Sequence, residues 1–385
     1  MMISLKKLSA YIDLRKEIQE VYLHRLLFSL AEGLVAIFIP FYIIQQGFGI
    51  TNVLMFFLIY YLTHLILPIP FGFLSGKIGY KHTSLIASIP ILLFYITIRS
   101  AETSLILYTS AFLGGLGFIM YWMGMNPETA LSSDKGSEES EVGFFFSLPS
   151  LAAILAPATG GAILYFFSFN LLFVAAAAIM FLSFAPFLLS SEHSKGMQTD
   201  IGDVFNGEMI FDFLAFYFKG FIYFVEKVLW PLFLAIIIES SLDIGMAGTV
   251  FALGTATLSI ILGQKMQPRN KKKILYISAA VITTTIIAMS LVTTPTTAFI
   301  IAGIFGLAFT GISMPVYSSA IKRAQRTDII EYFAFREIGL SLGRITALTI
   351  SYIIIIELDW GFAIAFALLA TATILFSLAA EKILE

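Results

Sequence analysis

Twelve stretches of about 20 apolar residues run through this chain, each long enough to cross the hydrocarbon core of a bilayer. They fall near residues 21–45, 50–74, 83–99, 104–126, 142–167, 170–190, 209–238, 243–264, 274–292, 297–320, 331–356 and 360–380. Hydrocarbon offers no water to a bare backbone, so each stretch must satisfy its own N–H and C=O groups as a helix. The composition agrees: 58% of residues are hydrophobic and 12% charged, about half the charge of a soluble domain. The expected fold class is an all-α polytopic membrane protein.

The basic residues orient the spans. Of 23 lysines and arginines, seventeen, from Lys6 to Lys382, fall in the N-terminal segment, the C-terminal segment and alternate loops. Only Arg99 falls in the other set of loops, and Arg25, Lys219, Lys227, Arg336 and Arg344 lie within spans. Positive loops stay inside, so both termini are expected in the cytoplasm of a plasma-membrane, multi-pass protein. Residues 5–20 read either as a short amphipathic helix at that face or as a polar tail.

The chain also reads as two halves. The longest internal polar stretch, Ser191 to Glu208, has the composition of a linker and falls after six spans. Arg25 and Glu32 in span one match Lys219 and Glu226 in span seven at an offset of 194. Gly117 and Met125 match Gly306 and Met314 at 189, and Glu141 matches Glu331 at 190. Each match alone is weak; their common offset, near half the chain, carries the argument. The expected units are a cytoplasmic segment at 1–20, a six-helix bundle at 21–190, a linker at 191–208 and a second bundle at 209–385. Two pseudo-symmetric bundles around a central cavity form a transporter plan.

Charges within the spans mark the polar path. Arg25 and Glu32, Lys219 and Glu226, and Glu337 and Arg344 are each seven residues apart, two helical turns, so each pair faces one way. A charge at mid-bilayer costs about 3 kcal/mol or more and rarely sits there without a use. Glu32 lies about 16 Å into its helix, near the midplane, as a proton carrier or as a structural ion-pair partner of Arg344, Lys219 or Lys227. Glu226 is a second coupling candidate or a lock between spans seven and eleven. Lys227 follows it directly, and residues one apart point about 100° apart on a helix, so the two are not expected to share a face. Arg336 and Glu337 suit gating pairs at the cytoplasmic end. Arg344 suits a clamp for an anionic group or a counter-charge for Glu32. Tyr121, Asn126 and Tyr317, with Trp122, Thr310 and Ser313, are candidates for the cavity wall or for plain packing. His64 suits a core position better than a relay. Trp230-Pro231 predicts a kink in span seven.

Two motifs carry a family resemblance. Gly72-Phe73-Leu74-Ser75-Gly76-Lys77-Ile78-Gly79-Tyr80-Lys81 resembles the major facilitator superfamily signature between helices two and three, Gly-x-Leu-Ala-Asp-Arg-x-Gly-Arg-Lys. Gly72, Leu74, Gly79 and Lys81 match, and Lys77 keeps the charge; Gly76 replaces the family's aspartate. The resemblance implies a gating role for Gly72, Lys77, Gly79 and Lys81, and Gly76 implies a cytoplasmic latch that is weaker or built otherwise. Ala156-Pro157-Ala158-Thr159-Gly160-Gly161 is similar to the helix-five element of the superfamily's drug/proton antiporter branch. Pro157 with Gly160 and Gly161 is expected to bend that helix and pack it tightly. The resemblance implies helices one, four, seven and ten around the cavity, with three, six, nine and twelve outside. Spans three, six, nine and twelve hold no Asp, Glu, Lys, Arg or His in their apolar stretches.

The absence of cysteine excludes disulfides and thiolate chemistry. The four histidines are scattered, with no metal-ligand or nucleophile pattern, so neither an enzyme nor a metal or other cofactor is expected. No basic tract suggests a nucleic acid. The expectation is a monomeric secondary active transporter that moves a small-molecule substrate by alternating access in a lipid bilayer, with protons coupled to efflux. The alternative is a proton-coupled or facilitative importer of a small metabolite or organic anion. A transporter-fold sensor that moves nothing is a third reading.

Overall fold

The computed structural model of the protein describes residues 16–132, 138–188 and 209–384. Among these the chain forms twelve helical rods: α1 (Glu20–Gln45), α2 (Ile50–Ile66 and Pro68–Ile78), α3 (Tyr80–Arg99), α4 (Ser104–Leu131), α5 (Glu138–Phe166), α6 (Phe169–Leu188), α7 (Met209–Ile237), α8 (Ser241–Lys265), α9 (Pro268–Met289), α10 (Pro295–Ala324), α11 (Ile329–Glu357) and α12 (Gly361–Leu384). Ten are singly long and apolar enough to cross a membrane, and the two-part α2 adds an eleventh. The linker predicted at 191–208 and most of the segment predicted at 1–20 lie outside the described residues.

Several helices depart from regular geometry where the sequence gives a cause. α2 is bent by 53° at Leu67, because Pro68 and Pro70 remove backbone donors and crowd the preceding turn. It then runs on to Ile78, past the predicted end at 74. Gly79 ends it at φ +105°, a conformation open to glycine at little cost; the signature glycine is therefore a backbone requirement. α1 tightens to a 3₁₀ turn at Ala36–Phe38 just before Pro40. α7 widens to a π turn at Val225–Leu229 just before Pro231. The two irregularities occupy matching places in the two halves, and the kink predicted at Trp230-Pro231 takes the form of this π turn.

Each helix turns its larger apolar side chains inward or to the membrane. On α3, Ile89, Leu93 and Ile96 are exposed, as are Leu368, Leu375 and Leu378 on α12, which suits lipid-facing outer helices. The halves meet along two seams, chiefly α5 against α8 and secondarily α2 against α11. Small residues make the first seam possible: a Cβ on Gly161 would lie 2.5 Å from the Ser241 carbonyl, and one on Gly245 2.5 Å from the Pro157 carbonyl. Beside Pro157 the Thr249 hydroxyl of α8 enters the α5 backbone ladder. It accepts from the Ala158 N–H at 3.1 Å and donates to the Ile154 carbonyl at 2.8 Å.

Near the α2–α3 loop the halves close on apolar groups. Ile330 and Ala334 of α11 pack with Tyr80, Ile119 and Met123 of the first half. Gly76, where the family pattern has aspartate, is buried within α2. Gln325 of the second half adds a hydrogen bond from its side-chain amide to the Ala130 carbonyl at 2.7 Å.

Candidate functional site

Between the halves lies a cavity of about 400 Å³. α1 contributes Arg25, Glu32 and Gly33; α2 contributes Tyr60, Tyr61 and His64; α4 contributes Trp122 and Asn126. From the second half come Tyr223, Glu226 and Lys227 of α7, Ser313 and Tyr317 of α10, and Arg336, Glu337 and Arg344 of α11. α3 also reaches it through Phe94 and Tyr95, which the outer-helix expectation for span three did not include. A smaller cavity of about 140 Å³ continues past Glu226 and Lys227 to Pro157, Trp230 and Pro231.

At the junction of the two cavities stands a three-member ionic group. The Lys227 ammonium lies 3.4 Å from Glu32 Oε1 and 3.4 Å from Glu226 Oε1. The two carboxylates paired by sequence offset are thus held by one cation, and one contact crosses between halves. The expectation that Glu226 and Lys227 would diverge is corrected: their side chains meet at the π turn, where i→i+5 bonding replaces the regular helical pattern. Lys227, which sequence reasoning weighed only as a pairing partner, is the hub. Two carboxylates and one ammonium leave one negative charge.

Deeper toward α11, Arg336 donates to Glu337 at 2.6 Å, and Arg344 lies 4.0 Å from the other oxygen of that carboxylate. The expected gating pair thus bonds to itself along one helix rather than across the halves. Arg344 lies 5.5 Å from the Tyr61 ring of the first half and 5.2 Å from the Tyr223 ring of the second, a cation placed between aromatic faces. Lys219 is buried behind the wall, 5.3 Å from the same Tyr223 ring. It does not line the cavity, contrary to the expectation for it.

On the first half, the Arg25 guanidinium stacks 5.0 Å over Trp122 and donates to the Tyr121 hydroxyl at 3.2 Å. Tyr121 is fully buried, so it is a support beneath the wall rather than a wall residue. His24, also buried, meets the Ser183 carbonyl through Nδ1 at 2.7 Å and the Tyr121 hydroxyl through Nε2 at 3.0 Å. The carbonyl accepts only, so Nδ1 carries the proton and Nε2 accepts from Tyr121. The chain Ser183–His24–Tyr121–Arg25 fixes where the guanidinium points. His64 bonds the Tyr60 carbonyl at 3.1 Å and stacks on that ring, the satisfied core position expected of it. Asn126 and Tyr317 do meet: the tyrosine hydroxyl donates to Asn126 Oδ1 at 3.2 Å across the halves.

The signature loop is anchored by a pair that sequence reasoning missed. Lys81 lies 3.5 Å from Glu128, and both are buried; Lys77 is exposed and Gly72 buried. Glu128 follows Pro127 near the end of α4, beyond the predicted limit of span four, so it was not counted among membrane charges. Pro157, Gly160 and Gly161 lie on the α5–α8 seam, Gly160 facing the Leu34 backbone of α1.

Two six-helix halves around a charged central cavity form a transporter fold. The chain belongs to the Major Facilitator Superfamily: the family's sequence profile matches residues 21–238, more than half its length. Solved structures agree on the fold. The human organic anion transporter MFSD10 (TETRAN) is 12% identical with a TM-score of 0.67, over 96% of this chain and 99% of that one. The E. coli fucose:proton symporter FucP is 14% identical with a TM-score of 0.69, over 95% and 99%. The nucleoside transporter NupG is 12% identical with a TM-score of 0.67, over 96% and 100%. No curated protein sequence matches the chain. At such identities the likeness concerns fold alone.

Proposed function

We propose that the protein is a proton-coupled secondary transporter, and that Glu32 and Glu226 around Lys227 carry the proton. The observation behind this is the double contact of Lys227 at 3.4 Å to each carboxylate. One proton on the group neutralises its single surplus charge. It also removes a charge from a contact between the halves, so the separation of the halves responds to protonation. Because the group stands where the two cavities join, that response changes access to the larger one.

The direction of transport we read as outward, in exchange for protons, on the similarity of Pro157, Gly160 and Gly161 to the antiporter element of helix five. A second reading, uptake of a small anion, draws support from the four basic side chains, Arg25, Lys227, Arg336 and Arg344, that line the cavity against three acidic ones, Glu32, Glu226 and Glu337.

The test uses the chain's lack of cysteine. Spin labels at Gln46→Cys and Glu239→Cys report one end of the molecule, and labels at His82→Cys and Arg326→Cys the other; all four positions are exposed. The two distance distributions should shift in opposite senses between pH 5 and pH 8, and Glu32→Gln should hold them at one setting. Distances that follow pH equally in Glu32→Gln would remove Glu32 from the coupling.

A further inference from the structure

Lys219, Arg336 and Arg344 gather around Tyr223 and Tyr317 with one carboxylate among them. Glu337 gives one oxygen to Arg336 at 2.6 Å and stands 4.0 Å from Arg344 with the other. Among the described residues no carboxylate lies within 4.0 Å of the Lys219 ammonium, whose aromatic neighbour is the Tyr223 ring at 5.3 Å. By residue type, three basic side chains thus share one carboxylate, in helices that are buried in the centre of a membrane protein. Surplus charge in such a place is costly, and buried ions persist where a partner compensates them. Lys227 and its two carboxylates are engaged with each other and leave one negative charge between them, which offsets part of the cationic excess but not all of it.

A second observation points the same way. Asn126 Nδ2 and Ser313 Oγ are buried in the cavity wall without a hydrogen-bond partner. Both belong to the wall around Tyr317, whose ring lies 5.5 Å from the Arg336 guanidinium. Unbonded buried polar groups are uncommon, and an amide N–H and a hydroxyl are donors suited to an anion's oxygens. Arg344 has the fork geometry to hold such a group and sits between Tyr61 and Tyr223, one from each half.

We infer that the α7–α11 cluster is an anion subsite, in which Arg344 grips the single anionic head of a small aromatic solute under the added field of Lys219 and Arg336. The head is a sulfonate, carboxylate or phosphate, and the solute's ring lies among the tyrosines of the cavity. This rests on the transporter reading above and adds its substrate class. Arg344 contacts the solute; Lys219 acts through space from behind Tyr223.

The experiment measures thermal stability of the purified full chain in detergent against three probes of one shape: benzenesulfonate, benzenesulfonamide and benzyltrimethylammonium. Benzenesulfonate should stabilise the protein saturably, and the neutral and cationic probes should not. Arg344→Gln should weaken the sulfonate response about tenfold, as loss of a charge-assisted contact does. Lys219→Met should weaken it while raising the melting temperature of the unliganded protein, because an uncompensated buried charge is gone; a merely structural lysine would lower both. If Arg344→Gln does not fold, Lys219→Met alone carries the test. Equal stabilisation by the sulfonamide, or a sulfonate response unchanged in the variants, overturns the subsite. Displacement of benzenesulfonate by phosphatidylglycerol would assign the cluster to a lipid headgroup and overturn the solute reading. The Arg344 and Lys219 results are read from binding alone, so a failure of proton coupling leaves them intact. Conversely, failure here leaves the pH-driven label distances intact.

Discussion

Glu32 and Lys227 face each other 3.4 Å apart across the two halves of the molecule, where the two cavities join. A 3₁₀ turn in α1 lies one turn beyond Glu32, and a π turn in α7 contains Lys227. Both side chains are partly solvent-accessible, Lys227 at 45% and Glu32 at 33%. A pair so exposed adds about 1 kcal/mol or less to stability. Under the proposed function, its place between the halves serves switching rather than strength.

Lys227→Met should make this visible. Without the ammonium, Glu32 and Glu226 face each other as like charges when ionised, and protonation relieves the repulsion. The variant should lose more thermal stability at pH 8 than at pH 5. The expected deficit at pH 8 is on the order of 1–2 kcal/mol, and adding Glu32→Gln should recover most of it. Melting curves of the single and double variants at both pH values check this.

The α5–α8 seam should be sensitive to one hydroxyl. The Thr249 hydroxyl accepts from the Ala158 N–H and donates to the Ile154 carbonyl. Thr249→Val removes both and should cost about 1–3 kcal/mol, the usual penalty for unmet buried groups. Thr249→Ser should keep most of the stability. Chemical or thermal unfolding of the two variants separates the hydroxyl from the methyl. Gly161→Leu should be worse than either, because even a Cβ there approaches the Ser241 carbonyl to 2.5 Å.

The buried Lys81–Glu128 pair should behave as a unit. Lys81→Met removes the ammonium 3.5 Å from a carboxylate that is 1% exposed, and breaking such a pair typically costs about 3–5 kcal/mol. Lys81→Met with Glu128→Leu should restore much of that. A double-mutant cycle on melting free energies gives the coupling directly.

Reading the sequence recovered the spans because bilayer thickness sets their length, and it recovered the halves because an offset near half the chain repeats. It singled out Glu32, Glu226, Arg336 and Arg344, which line the cavity, because charge is conspicuous against hydrocarbon. It missed the role of Lys227 because the inference assumed a regular helix, and the π turn at Val225–Leu229 changes which neighbours meet. It missed Glu128 because the apolar stretch of span four was ended at residue 126, whereas α4 continues to Leu131. It placed Tyr121 and Lys219 on the cavity wall because helical phase gives direction around an axis, not depth; both lie behind it. It left the latch open at Gly76, and only packing brings Ile330 and Ala334 against Tyr80.

Proton coupling to solute movement is tested most directly in vesicles that contain the protein, an internal pH-sensitive dye and radiolabelled benzenesulfonate. Potassium and valinomycin hold the potential at zero. As benzenesulfonate runs out down its gradient, the lumen should acidify if protons are exchanged for the anion, as the account predicts. Glu32→Gln should abolish the pH change. A lumen that turns alkaline would reverse the sense of coupling to symport, and label that leaves through the protein with no change of internal pH would contradict proton coupling outright.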